Sequence, residues 1–217
     1  MFTSALAFAG VAALINVTPG LDTLLVLRTS VSHGRQAGLA ASLGILAGCL
    51  VWGFATAVGL TALLTASRVA YDTLRVAGAA YLVWLGASAL WRSRRAAAEP
   101  EAVDPGPVGG SGPSGWWAAF RAGVGTNLLN PKAGVFYMSL IPQFTPHGAS
   151  VFTSTLLFTA IDIVELALWY WVVSGAASAL SERIRRPAFR RRMEQVSGVA
   201  FFGLATNLLA EGGRRTA

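Results

Sequence analysis

Three acidic residues fall inside long apolar runs: Asp22, Asp162 and Glu165. A carboxylate in hydrocarbon is expensive, so it faces a protein interior or a watery path and marks a route for ions or polar solutes. Asp162 and Glu165 stand at i and i+3, which puts them on one face of a helix. Two carboxylates that close in a low-dielectric setting resist being ionised together, which suits taking up and releasing a proton. The competing reading is structural pairing, of Asp22 with Arg28 or of Asp162 with Lys132.

Two more clusters join amides to proline: Asn16-Val17-Thr18-Pro19-Gly20 and Asn127-Leu128-Leu129-Asn130-Pro131-Lys132. Proline removes a backbone donor and obstructs the preceding turn, so an apolar helix should kink or unwind at each. Non-helical backbone at membrane depth survives only where protein or a water-filled cavity satisfies it. Either the prolines only shape helix packing, or the freed backbone and helix ends bind a polar solute. Half-helix N-termini suit a carboxylate, and asparagine offers both donors and acceptors, which suits an amino acid. On the second reading Asn16, Thr18, Pro19, Gly20, Asn127, Asn130, Pro131 and Lys132 line a substrate site. Asp22, Asp162 and Glu165 then handle a coupled ion. Lys132 either snorkels to the outer interface or faces the cavity and attracts an anionic group.

The elements that position these residues are membrane helices. A bilayer core takes about 20 apolar residues per helix, and six segments meet that length, at about 3–27, 39–64, 71–91, 116–141, 150–178 and 194–210. The expected fold is therefore an all-α membrane protein. Residues 93–115 are rich in Pro, Gly, Ser and Ala and read as a flexible linker. They divide the chain into three-helix halves, 1–92 and 116–217. The halves are related: each has a proline well inside its first helix, and Val76-Ala77-Gly78 matches Val196-Ser197-Gly198 in the third. An odd number of helices per half makes the repeats antiparallel, the inverted layout of many secondary transporters, with broken helices 1 and 4 at the midplane.

Arginines set the orientation. Arg28 and Arg35 follow the first helix, Arg92, Arg94 and Arg95 the third, and six arginines from Arg183 to Arg192 the fifth. Positive charge collects on the cytoplasmic face, so both termini are expected outside, in the periplasm. The basic stretch from Arg183 should lie against anionic lipid headgroups. Tryptophans near helix ends, including Trp91, Trp116 and Trp117, fit interfacial belts. Gly44 and Gly48 form a GxxxG spacing that favours close helix packing and allows a homodimer.

Composition removes other classes. The 217 residues are 54% hydrophobic and 12% charged, with mean hydropathy +0.55. That balance fits a polytopic membrane protein. The net charge of +7 sits in short loop clusters, so no nucleic-acid face is expected. Cys49 is the only cysteine, and His33 and His147 fall in expected loops, so no cofactor or metal is expected. The apolar N-terminus lacks the basic start of a secretory signal and reads as a retained first helix. No Walker A, HExxH or GxSxG sequence occurs, so neither nucleotide-driven pumping nor intramembrane hydrolysis is supported and no enzyme is expected.

The chain resembles the LysE/RhtB family of amino-acid exporters along nearly its whole length. TPGLDTLLVLRTSVSHGRQAGLAASLGILAGCLVWG is similar to that family's first signature, with Leu21 where the usual form has a second proline. GAAYLVWLGASAL resembles the third-helix signature and NLLNPKAGVFYMSLIPQF the fourth-helix one, the most specific of the three. Asp162 fits a position where the family often has an aspartate. The resemblance implies efflux of amino acids or their derivatives from the bacterial inner membrane, driven by an ion gradient. Protons are the expected coupling ion and a small zwitterionic or cationic solute the expected cargo. A cation channel and a non-transporting membrane assembly subunit are the alternatives from other classes.

Overall fold

The computed structural model describes residues 1–18, 20–74, 115–146 and 148–177, with 76, 77, 80, 84 and 87 besides. The expected sixth helix, most of the third, the linker up to 114 and the basic stretch from Arg183 lie outside the described residues. Among the described residues all regular structure is helical.

Helix α1 (Phe2–Val17) gives way to α2 (Leu21–His33) across a bend of 53°. The cause is local. Thr18 precedes Pro19, and a residue before proline is driven out of the helical region; Thr18 is extended at φ −70°, ψ 117°. Together α1 and α2 are apolar enough to form one broken span. The first helix thus runs on beyond the expected 27. Arg28 is an exposed residue within α2 and His33 its last residue, rather than loop residues, because the chain turns at Gly34 alone. Gly34 takes φ 83°, which only glycine adopts without penalty.

Helix α3 (Arg35–Ala66) and helix α8 (Val151–Gly175) are each long and apolar enough to cross a membrane. Between them, α4 (residues 68–74) begins after Ser67, and α5 (Trp116–Leu128) leads to the second break. Asn130 precedes Pro131 and is extended at φ −78°, ψ 110°, by the same steric rule as Thr18. Pro131 then opens α6 (Pro131–Val135) at a position where its missing N–H is not needed. A π-helical turn (Phe136–Leu140) and α7 (Ile141–Phe144) complete this arm. The expected fourth helix is therefore broken twice over, by a gap and by a widened turn.

Helix α3 lies against α2, α5 and α8. Glycines set the approach: a Cβ on Gly44 would collide with the Phe120 carbonyl, and one on Gly123 with the Ala41 carbonyl. Helices that close gain dispersion contact along their backbones, the usual source of association in lipid. At the far side Phe8 of α1 stacks on Phe158 of α8 at 4.8 Å, with Phe144 edge-on at 5.6 Å and Phe136 at 6.0 Å. This aromatic cluster ties the broken arms to α8.

Candidate functional site

The two breaks meet. Helix α1 ends with carbonyls that have no intrahelical partner, and Lys132, the second residue of α6, supplies the donors. Its Nζ donates to the Ile15 carbonyl at 2.9 Å and to the Thr18 carbonyl at 3.2 Å. A cation at a helix C-terminus also meets the negative end of the macrodipole. Lys132 therefore turns inward, to the cavity rather than the interface. It forms no ion pair with Asp162, so that expected pairing is not observed. Asn130 serves the other break: its Oδ1 accepts from the Lys132 backbone N–H at 3.0 Å and caps α6.

The other two asparagines hold carboxylates. Asn16 Nδ2 donates to Asp162 Oδ1 at 2.9 Å and reaches Glu165 Oε2 at 3.5 Å. One amide thus bridges the two carboxylates of α8 from across the cavity. Tyr137, in the π-helical turn, donates its hydroxyl to Asp162 Oδ2 at 2.7 Å, so both oxygens of the buried Asp162 have donors. Asn127 Nδ2 donates to Asp22 Oδ2 at 3.0 Å and approaches Cys49 Sγ at 3.4 Å. Asp22 is thus held by Asn127, and Arg28, exposed a turn and a half further along α2, is not its partner. The second oxygen of Asp22 is buried without a donor. Asn127 itself is 1% exposed, with Trp52 Nε1 donating to its backbone carbonyl at 3.4 Å.

A cavity of about 50 Å³ lies among these groups. It brings together Asn16, Thr18, Gly20, Asp22, Asn127, Asn130, Lys132 and Asp162. Glu165 touches it only through Asn16. Pro131 is exposed and shapes the break without lining the cavity, and Pro19 lies outside the described residues. Sequence reasoning missed Thr23, Cys49, Phe136, Tyr137 and Tyr170, which complete the lining with Ile15, Ala133 and Leu166. Tyrosine hydroxyls at membrane depth were the available signal, since a buried O–H needs a partner. Asp162, Leu166 and Tyr170 recur at four-residue spacing along α8, one face of a helix.

Gly48 has a part in the site. A Cβ there would come 2.5 Å from Asn127 Oδ1, so the second glycine of the GxxxG pair makes room for a cavity side chain. Gly44, against backbone, keeps the packing role expected of it.

Comparison with known proteins converges on one family. The sequence profile of the LysE type translocators matches residues 13–212. The threonine efflux protein of Escherichia coli (strain K12) is 29% identical over 194 residues, covering 89% of this chain and 91% of its own. A leucine efflux protein of Salmonella choleraesuis is 33% identical over 173 residues, covering 76% of each. The membrane protein YrhP of Bacillus subtilis is 24% identical over 207 residues, covering 94% of this chain and 99% of its own. No solved structure matches the chain.

Proposed function

The chain belongs to the LysE type translocator family, membrane transporters and not enzymes, and from that we propose that it exports amino acids or their derivatives across the bacterial inner membrane. The observation that carries this reading is the meeting of both helix breaks at one polar cavity, lined by three asparagines, a lysine and two aspartates. Relatives named for threonine and leucine efflux support an amino-acid cargo.

The mechanism follows from the cavity's size. One water needs about 10–15 Å³, so 50 Å³ holds a few waters and far less than an amino acid. The cargo is admitted when the two broken arms part, which fits alternating access between inverted three-helix repeats, 1–92 and 116–217, joined by the linker 93–115. Asn16, Thr18, Pro19, Gly20, Asn127, Asn130, Pro131 and Lys132 form or shape the substrate site. The coupled proton is carried by carboxylates drawn from Asp22, Asp162 and Glu165. Six helices with both termini periplasmic, basic loops on anionic lipid and a homodimer complete the reading.

Purified full-length protein in proteoliposomes tests it. Leucine or threonine flux should saturate, and the lumen pH should change only when amino acid moves. Asn127→Ala and Asp162→Asn should each lower export while folded protein remains in the membrane. Normal export in both variants would remove the site assignment, and unsaturable flux would favour a channel.

A further inference from the structure

The two aspartates at the cavity are not equivalent. Asp162 has a donor on each oxygen, from Asn16 and Tyr137. Asp22 has one within bonding distance, from Asn127, with the Asn130 side chain also close to it, and its Oδ1 is buried with none. A buried acceptor without a donor is costly, more so when charged, so this oxygen is set for a donor that no described residue supplies within bonding distance. Lys132 has the complementary surplus. Its ammonium carries three N–H donors, and two go to the carbonyls of Ile15 and Thr18. The third has no partner among the described residues. Both side chains border the same cavity, from opposite broken arms, and each lies within electrostatic reach of the other.

An α-amino acid offers the inverse of this pair, an ammonium and a carboxylate on one carbon. We infer that Asp22 and Lys132 form the head-group site, with Asp22 accepting from the substrate ammonium and Lys132 donating to its carboxylate. The assignment rests on the export reading above and sharpens it, since Asp22 passes from the coupled ion to the cargo. Asp162 with Glu165 is left for the ion. Ile15, Phe136 and Leu166 supply an apolar wall at the same cavity, so the cargo is a neutral amino acid with an apolar or short side chain. Among the described residues lining the cavity, a cationic side chain would find no second carboxylate with an oxygen that lacks a donor.

The experiment is counterflow of labelled leucine in proteoliposomes, competed by leucine, by 4-methylpentanoate, which lacks the ammonium, and by 3-methylbutylamine, which lacks the carboxylate. In the wild type each half-molecule should compete about 10- to 100-fold less well than leucine, the worth of one charge-assisted hydrogen bond. Asp22→Asn should weaken leucine by a similar factor yet leave 4-methylpentanoate unchanged, so discrimination against the missing ammonium collapses. Lys132→Gln should do the converse with 3-methylbutylamine. The crossed pattern separates recognition from mere structural damage, which would weaken all three competitors alike. Where a variant no longer transports, protection of the purified protein from heat by the same three compounds reads the same ratios. If Lys132→Gln fails to fold, the Asp22→Asn arm decides alone. Preserved discrimination in Asp22→Asn, with only proton coupling lost, would overturn the assignment and return Asp22 to the ion. Wild-type protein that moves leucine but lacks the crossed pattern defeats the head-group site alone. Wild-type protein that moves no amino acid defeats the export reading as well.

Discussion

Gly48→Ala is a one-carbon change outside the polar groups of the cavity, and the structure gives it a large effect. The added Cβ would lie 2.5 Å from Asn127 Oδ1, 2.9 Å from its Cβ and 3.0 Å from its Cγ. Non-bonded carbons settle at about 3.5–4.0 Å, so the amide must retreat by roughly 1 Å or the helices must part. A retreat of that size takes the 3.0 Å hydrogen bond to Asp22 out of range. Overpacking costs about 1–3 kcal/mol, and loss of a hydrogen bond to a charged group about 1.5–3 kcal/mol. Since about 1.4 kcal/mol is a factor of ten, leucine counterflow should weaken by roughly 10- to 100-fold, with a lower thermal midpoint in detergent. Gly59→Ala is the control. Its Cβ meets nothing within 4 Å, and alanine favours a helix over glycine by about 1 kcal/mol, so stability should hold or rise slightly and transport should stay. Wild-type counterflow in Gly48→Ala, or equal losses in Gly48→Ala and Gly59→Ala, would refute the reasoning.

Tyr137→Phe removes the 2.7 Å hydrogen bond to Asp162 and should slow export; combined with Asp162→Asn it should do no further harm, because the hydroxyl acts through that carboxylate. Additive losses in the double variant would show that Tyr137 works elsewhere. Cys49 is the only cysteine and borders the cavity while 2% exposed, so N-ethylmaleimide should label it slowly and saturating leucine should change the rate several-fold. An unchanged rate would separate the cavity from the transport path.

Part of this architecture is legible in the chain itself. A residue before proline is excluded from the helical region by its own neighbour's ring, so the breaks at Thr18 and Asn130 follow from a dipeptide each. The capping of α6 by Asn130 is local as well, since an amide at that position reaches the next free N–H. The expense of carboxylates in hydrocarbon singles out Asp22, Asp162 and Glu165 from the sequence; the cavity includes the first two, and Glu165 meets it only through Asn16.

What each group faces was decided by tertiary structure. A membrane helix is apolar all round, so its sequence carries little of the one-sided pattern that orients a helix in a soluble protein. Nothing local says that Asn16 turns to Asp162, 146 residues away, or that Lys132 returns to the carbonyls of Ile15 and Thr18. Nor does it say that Gly48 yields space to Asn127 while Gly44 meets bare backbone. The π-helical turn adds to this: its first two residues, Phe136 and Tyr137, both line the cavity, and such turns gather at functional sites. The sequence determined where the chain must break and which polar groups must be buried. Packing decided which of them satisfy one another, and so left one oxygen of Asp22 buried without a donor.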